Sequence, residues 1–269
     1  MSASAGDCSR PQWQVPRYDR TMLRERATKH CIVIPVINEG ARIRSLLSRM
    51  HALGIAALAD IVIVDGGSTD GSLEHAWLER HGVRALLVKR APGKLGAQLR
   101  CAYAFAFDEG YDGIVTIDGN DKDDPDAIPA FVAALDRGID FVQASRFIAG
   151  GVSENAPPSR LAAIRLLHAP VLSIASGFRW TDTTQGFRAY SRRLVADPRL
   201  CLFRDVFQAY ELLAYVSAYA PRLGFSCLEL PTARRYPPGE VPTKIVGFGA
   251  NLALIGVLFK AATGAYRPR

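Results

Sequence analysis

The sequence predicts an α/β fold built on a doubly wound, mostly parallel sheet. Three observations carry that expectation. Short apolar runs of strand length alternate with stretches of helical periodicity from residue 31 onward. The runs are apolar throughout, as strands covered on both faces are. Each also ends abruptly in a polar residue, where an α/β sheet opens its ligand crevice. With 269 residues, 49% of them hydrophobic, the chain can bury one large core, or one core and a small appendage.

Residues 1–29 are polar, contain Pro11 and Pro16, and show no sustained periodicity, so they read as an extension outside the core. The first strand is 31–36, CIVIPV. A helix follows, with Ile43, Leu46, Leu47, Met50 and Leu53 at helical spacing, Asn38 where a cap is needed and Gly54 at its close. The second strand, 61–64, runs into Asp65, and Asp70 is placed to cap a helix over 72–80. Strand 85–88 and helix 95–109 come next, then strand 114–117 ending in Asp118. Helix 128–135 and strand 141–144, which ends in Ser145-Arg146, complete the alternation. Residues 30–235 therefore form the main domain, and 236–269 a basic and apolar tail.

Charge and cysteines narrow the class. The net charge is +7, concentrated at the ends: 1–30 hold six Arg/Lys against three acids, and 232–269 hold six against one. Basic ends suit an anionic membrane surface, and no aromatic-basic platform argues for nucleic acid. Cys8, Cys31, Cys101, Cys201 and Cys227 are scattered and never spaced CxxC, the pattern of reduced thiols in a cytoplasmic protein. The N-terminus lacks the apolar stretch of a signal peptide.

Asn38, Glu39, Asp65, Asp118 and Arg146 each follow a strand, so they gather along one edge. Neither GxGxxG nor GxxxxGK[ST] is present, which excludes a dinucleotide fingerprint and a P-loop. The edge is acidic at its centre, Asp118-Gly-Asn120-Asp121-Lys-Asp123-Asp124, and basic around it. Clustered oxygen ligands suit Mg²⁺ or Mn²⁺, with substrate phosphates completing the shell and arginines holding the remaining phosphate oxygens. The plainer reading is a solvated turn in which Asp124-Pro125 opens a helix.

Ile34-Pro-Val-Ile-Asn-Glu39, Val64-Asp-Gly-Gly-Ser-Thr-Asp70 and Ile117-Asp-Gly-Asn120 resemble, in order and spacing, the signature blocks of family 2 glycosyltransferases. Gly93-Lys94, Ser145-Arg146-Phe147 with Gly150-Gly151, and Asp182-Thr-Thr-Gln-Gly-Phe-Arg188 add a likeness to the polyprenyl-phosphate, dolichyl-phosphate mannose synthase-like branch. So do Glu211 in an apolar helix, Arg234-Arg235, Gly239-Glu240 and Thr243-Lys244. The resemblance implies a GT-A, Rossmann-like fold and inverting transfer from a nucleotide-diphosphate sugar. Pro35, Asn38, Glu39, Asp65, Gly66, Lys94, Asp118 and Gly119 would bind the nucleotide, and Asp118 and Asn120 the metal. Asp118, Asp182, Arg146 and Arg188 would form the catalytic set. Two departures stand out. Asn120 replaces a second Asp, leaving Asp121 or Asp123 to compensate, and Lys122 stands where the family often has Gln or His.

The acceptor is a lipid phosphate or a glycan. A hydroxyl requires a general base, for which Asp182, Asp205 and Glu211 are candidates. A polyprenyl monophosphate is already anionic, and Arg146, Arg188, Arg234, Arg235 and Lys244, with Arg160, could hold it. Residues 245–259, IVGFGANLALIGVLF, form an amphipathic helical segment of roughly 22 Å, short of the ~30 Å hydrocarbon core and so interfacial. A protein peripheral to the inner face of the membrane is expected. The apolar stretch 160–178 is open as a homo-oligomer surface, an acceptor channel or core. A non-catalytic nucleotide-sugar-binding protein is the alternative from another class.

Overall fold

The computed structural model describes residues 10–237 and 248–268. The chain joins the sheet earlier than its composition predicts. Strand β1 (Tyr18–Met22) pairs antiparallel with a strand later in the chain, Tyr18 opposite Lys89. Trp13 stacks on Phe203 with ring centroids 3.6 Å apart. This corrects the reading of 1–29 as lying outside the core: from Arg10 onward, aromatic side chains fasten it there.

β2 (His30–Val36), helix α1 (Ala41–Ala52), β3 (Asp60–Asp65), α2 (His75–Arg80) and β4 (Val83–Lys89) follow in order. Then come α3 (Leu95–Asp108), β5 (Gly113–Thr116), α4 (Ile128–Asp136) and β6 (Phe141–Ser145). The expected alternation is therefore present. Two helix starts differ from expectation. Gly40, not Asn38, precedes α1, and Glu74, not Asp70, caps α2 by accepting from the N–H groups of Ala76 and Trp77.

The second half adds β7 (Val152–Glu154), α5 (Pro158–Ala163), a π-helical turn (Ile164–His168), α6 (Ala169–Ser176), β8 (Arg188–Ser191) and α7 (Arg192–Val195). It ends with α8 (Glu211–Tyr219), β9 (Cys227–Pro231), β10 (Ala233–Arg235) and α9 (Phe248–Thr263). The main sheet runs β1-β4-β3-β2-β5-β8-β6-β9. It is parallel except for β1 at one edge and β8, which is wedged antiparallel between β5 and β6. A small parallel pair, β7 with β10, lies beyond the carboxyl end of β6.

Alternation along the strands divides the core. Ile32, Ile34, Ile61 and Ile63 pack with Ile43 and Leu46 of α1 and Phe131 of α4. Cys31, Val33, Val62 and Val64 pack on the opposite face with α3 and α8. Helix α9 lies against α6 and α8. It buries Leu258 but leaves Leu252 57% and Phe259 47% exposed. Its 16 residues span roughly 24 Å, and among the described residues no helix is long and apolar enough to cross a membrane. Residues 238–247, which include the start of the expected tail helix, lie outside the described residues. Cys31, Cys101 and Cys227 are free thiols, whereas Cys201 is disulfide-bonded, which departs from the expectation of thiols throughout.

Candidate functional site

The loops after β2 and β3 are locked together. Asn38 adopts φ +50°. Its N–H donates to the Ser68 hydroxyl (2.9 Å), and its side-chain oxygen accepts from the Thr69 N–H (2.8 Å). The Gly40 N–H donates to Asp70 Oδ2 at 2.8 Å, the use Asp70 finds instead of capping α2. Asp65 is buried and accepts from the Ser68 N–H and, at 2.6 Å, from its hydroxyl. Beneath them, the Gln98 amide from α3 donates to the Val36 and Val64 carbonyls, each at 2.9 Å. Pro35, Glu39 and Gly66 stand at the ends of these braced strands. Lys94 is exposed at the start of α3 and its N–H is held by the Gln208 carbonyl.

The turn after β5 packs against β2. A Cβ at Gly119 would meet Val36 Cγ2 at 3.0 Å and the Pro35 carbonyl at 3.1 Å, so glycine lets the Asp118 turn approach β2 without its neighbours giving way. Asp118 lies 3.4 Å from Arg234 Nη2, with its side chain 23% exposed. Gly186, in the loop entering β8, packs directly on Asp118: a Cβ there would stand 2.3 Å from Oδ1. Gly186→Ala is therefore expected to displace the carboxylate and lower sugar transfer by roughly 10²-fold, because an ångström of misplacement carries such a cost. Steady-state rates and melting curves check this: an Ala variant of wild-type activity would remove Asp118 from the chemistry.

The acids beyond Asn120 are each met by arginine. Asp121 pairs with Arg49 at 3.0 Å, and Asp124 pairs with Arg49 at 2.7 Å and Arg235 at 2.8 Å. Asp124 also opens the turn into α4, as the plainer reading expects. Asp123 is fully buried and accepts twice from Arg234 Nη1, at 2.7 and 2.5 Å. Burial lowers the Arg234 value, but the carboxylates of Asp123 and Asp118 outweigh it and hold the guanidinium above its usual range. Neither Asp121 nor Asp123 is thus turned toward replacing the carboxylate absent at Asn120. Among the described residues no cluster of three or more His, Cys, Asp or Glu could hold a metal. One carboxylate and one amide oxygen fit a hard cation shared with a substrate diphosphate, not a cage made by protein alone.

Beside this turn, Lys122 is buried with its ammonium 4.9 Å from the centroid of the Tyr236 ring. Burial, and then Arg234, push it below its usual value. Arg160 donates to the Tyr236 hydroxyl at 3.0 Å.

The loop before β8 holds a second centre. Arg146 grips Asp182 through Nε (2.7 Å) and Nη2 (3.2 Å), and also donates to the Thr184 hydroxyl (2.9 Å). The Gln185 amide donates to Asp182 as well, at 2.8 Å. Glu229, on β9, accepts from the N–H groups of Thr181 and Asp182 and from the Thr181 hydroxyl, fixing the loop from below. Burial pushes Asp182 upward, but the Arg146 charge and hydrogen bonds more than reverse this, leaving it below the usual carboxylate value. Such a group is a poor proton acceptor, which corrects its candidacy as a base. Among the described residues, none is a hydrogen-bond partner of the buried Arg146 Nη1.

Arg188 is also corrected. It is wholly buried and donates to the backbone carbonyls of Gln185, Leu213 and Thr183, so it braces the loop and reaches no acceptor. Arg235 is spent on Asp124 and Glu154. Lys244 lies outside the described residues. Of the alternative bases, Glu211 accepts from the Ala209 N–H at 2.6 Å, and Asp205 is exposed. Sequence reasoning assigned no role to Gly186, Glu229 or Tyr236. The signal available was Glu229 as the acid inside an apolar run, and Gly186 inside a quoted motif.

A family model described as glycosyl transferase family 2 matches residues 31–197. The chain is 26% identical over 204 residues to a polyprenol monophosphomannose synthase of Mycolicibacterium smegmatis, covering 74% of this chain and 75% of that one. It is 26% identical over 205 residues to an undecaprenyl-phosphate mannosyltransferase of Micrococcus luteus, covering 74% and 80%. Among solved structures it is similar to glucosyl-3-phosphoglycerate synthase of Mycobacterium tuberculosis in complex with Mn²⁺, UDP-glucose and phosphoglyceric acid. There the TM-score is 0.56 at 19% identity, covering 87% of this chain and 80% of that one. At such identity the likeness concerns the fold, which is the GT-A fold.

Proposed function

The chain belongs to glycosyl transferase family 2, and from that premise we propose that it transfers a sugar, with inversion, from a nucleotide-diphosphate donor to a membrane-borne polyprenyl phosphate. The observation that carries the reading is the meeting of Asp118 with Arg234 at the carboxyl edge of the sheet, next to the interlocked loops after β2 and β3. The nucleoside is assigned to these loops, with Pro35, Glu39 and Gly66 beside it and Asn38 and Asp65 holding their shape. Asp118 and Asn120 would hold Mg²⁺ or Mn²⁺, which would offset the negative charge that builds on the leaving group.

In transfer, an acceptor phosphate oxygen bonds the anomeric carbon from the face opposite the diphosphate, whose bond to that carbon breaks. An anionic phosphate needs no base. That suits a site where Asp182 is locked to Arg146 and Glu211 is turned to its own helix. The Arg160 guanidinium is the cation proposed to meet the acceptor, while Arg146, its side chain 2% exposed, holds Asp182 and the loop before β8.

Helices beginning at Arg160 carry the lipid side. Leu166 is 79% and Ile174 85% exposed, next to α9 with its exposed Leu252 and Phe259. Arg165 and Lys260 are exposed on the same helices. Apolar faces flanked by basic side chains suit an anionic lipid interface, on the cytoplasmic face where such an enzyme would sit.

The test offers radiolabelled GDP-mannose or UDP-glucose with undecaprenyl phosphate in anionic vesicles. Lipid-extractable label is expected from the phosphate and none from undecaprenol; equal labelling of both would overturn the phosphate acceptor. Leu166→Asp with Ile174→Asp is expected to raise KM for the vesicle-borne acceptor by about tenfold or more. Transfer to a short, water-soluble prenyl phosphate should be unchanged.

A further inference from the structure

We infer that Lys122 and Arg234 neutralise part of the donor diphosphate themselves, so that nucleotide binding by this chain depends only weakly on a divalent cation. The inference rests on the donor-site reading above and deepens it.

The donor set is one observation. The position two residues beyond Asp118 offers an amide oxygen, and the acids that follow are directed at arginines: Asp121 at Arg49, Asp123 at Arg234, Asp124 at Arg49 and Arg235. Affinity for a hard cation rises with the number of charged ligands. Here Asp118 is the one carboxylate left to offer, and Arg234 already stands 3.4 Å from it.

The arrangement of cations is a second, independent observation. Around the ring of Tyr236, next to Asp118, the Lys122 ammonium lies 4.9 Å from the centroid and the guanidinium carbons of Arg234 and Arg160 each 5.9 Å. Lys122 and Arg234 are both buried, so water screens them little. The formal charges of Asp118 and Asp123 are balanced by Lys122 and Arg234 before any ligand arrives. A dication entering there finds both carboxylates already neutralised. A diphosphate entering there meets Lys122 and Arg234 as charge-assisted donors.

Titration calorimetry of the full chain with UDP and with GDP, in EDTA and in Mn²⁺, tests this. For whichever nucleotide binds, Kd in EDTA is expected within about tenfold of Kd in Mn²⁺, one charge-assisted contact being worth that much. Lys122→Gln should weaken binding in EDTA by about tenfold or more and shift the requirement toward the metal. Lys122→Arg keeps the charge, should keep binding in EDTA, and controls for folding together with melting curves. Electron paramagnetic resonance of free Mn²⁺ gives a readout without nucleotide: the double variant Asn120→Asp, Lys122→Gln should bind the ion more tightly than wild type. Wild-type binding that disappears in EDTA and returns with Mn²⁺ would overturn the inference and leave the donor site standing. Absence of binding by both nucleotides in both conditions, on folded protein, would overturn the donor-site reading itself.

Discussion

Asp118→Ala is expected to lower kcat for sugar transfer by about 10³-fold while leaving the fold intact, because the cation that would offset leaving-group charge loses its carboxylate ligand, a loss of the order seen when a preorganised stabiliser of such charge is removed. The structure argues for both halves of that result. The Asp118 side chain is 23% exposed and its ion pair with Arg234, at 3.4 Å, is the longer of that arginine's two. Arg234 keeps Asp123, so no buried charge is stranded and the melting temperature should move little. The loss should fall on kcat more than on nucleotide affinity, since Lys122 and Arg234 remain beside the diphosphate. Rates with labelled donor, set against calorimetric Kd for the nucleotide, separate the two. An Ala variant within a few-fold of wild-type kcat would contradict the assignment.

Asp182→Ala should act on stability instead, costing about 3–5 kcal/mol in urea unfolding, because it strands a buried charge. The Arg146 side chain is 2% exposed and its partner not at all. The change also removes acceptors for the Thr184 N–H and the Gln185 amide. The pH dependence has a definite sign. Asp182 is held below its unfolded value, so its contribution is complete above about pH 4, the ordinary carboxylate range, and is lost as pH falls through the lower folded value. Asp182→Asn should flatten that acid limb. An Ala variant as stable as wild type would show that the pair is not what holds the loop.

The parallel half of the sheet was legible because its strands are continuous apolar runs: β2, β3 and β6 lie within a residue or so of where periodicity puts them. What escaped lacks that signal. β1 reads Tyr-Asp-Arg-Thr-Met and is half solvated at an edge, and β8 is four residues long and begins with an arginine. The site divides the same way. Asp118 was singled out because it follows a strand and Asn120 because the resemblance puts it at the metal position, and their hold on a metal is a proposal. Arg188 was misread because an arginine in a motif looks like a ligand until its three carbonyl partners are known. The pairing of Asp123 with Arg234 joins residues 111 apart, a separation that no local pattern encodes.

The wedged strand β8 also bears on the order in which the molecule acquires its site. Asp118 belongs to the first half of the chain, yet it is seated by Gly186 on the way into β8 and by Arg234 beyond β9. A ribosome that has released only the alternating β/α half has made a sheet edge with an unfinished site. Contacts at such separation form late. Donor binding is then a property of the completed chain, and the nucleotide stabilises the finished fold over its precursors.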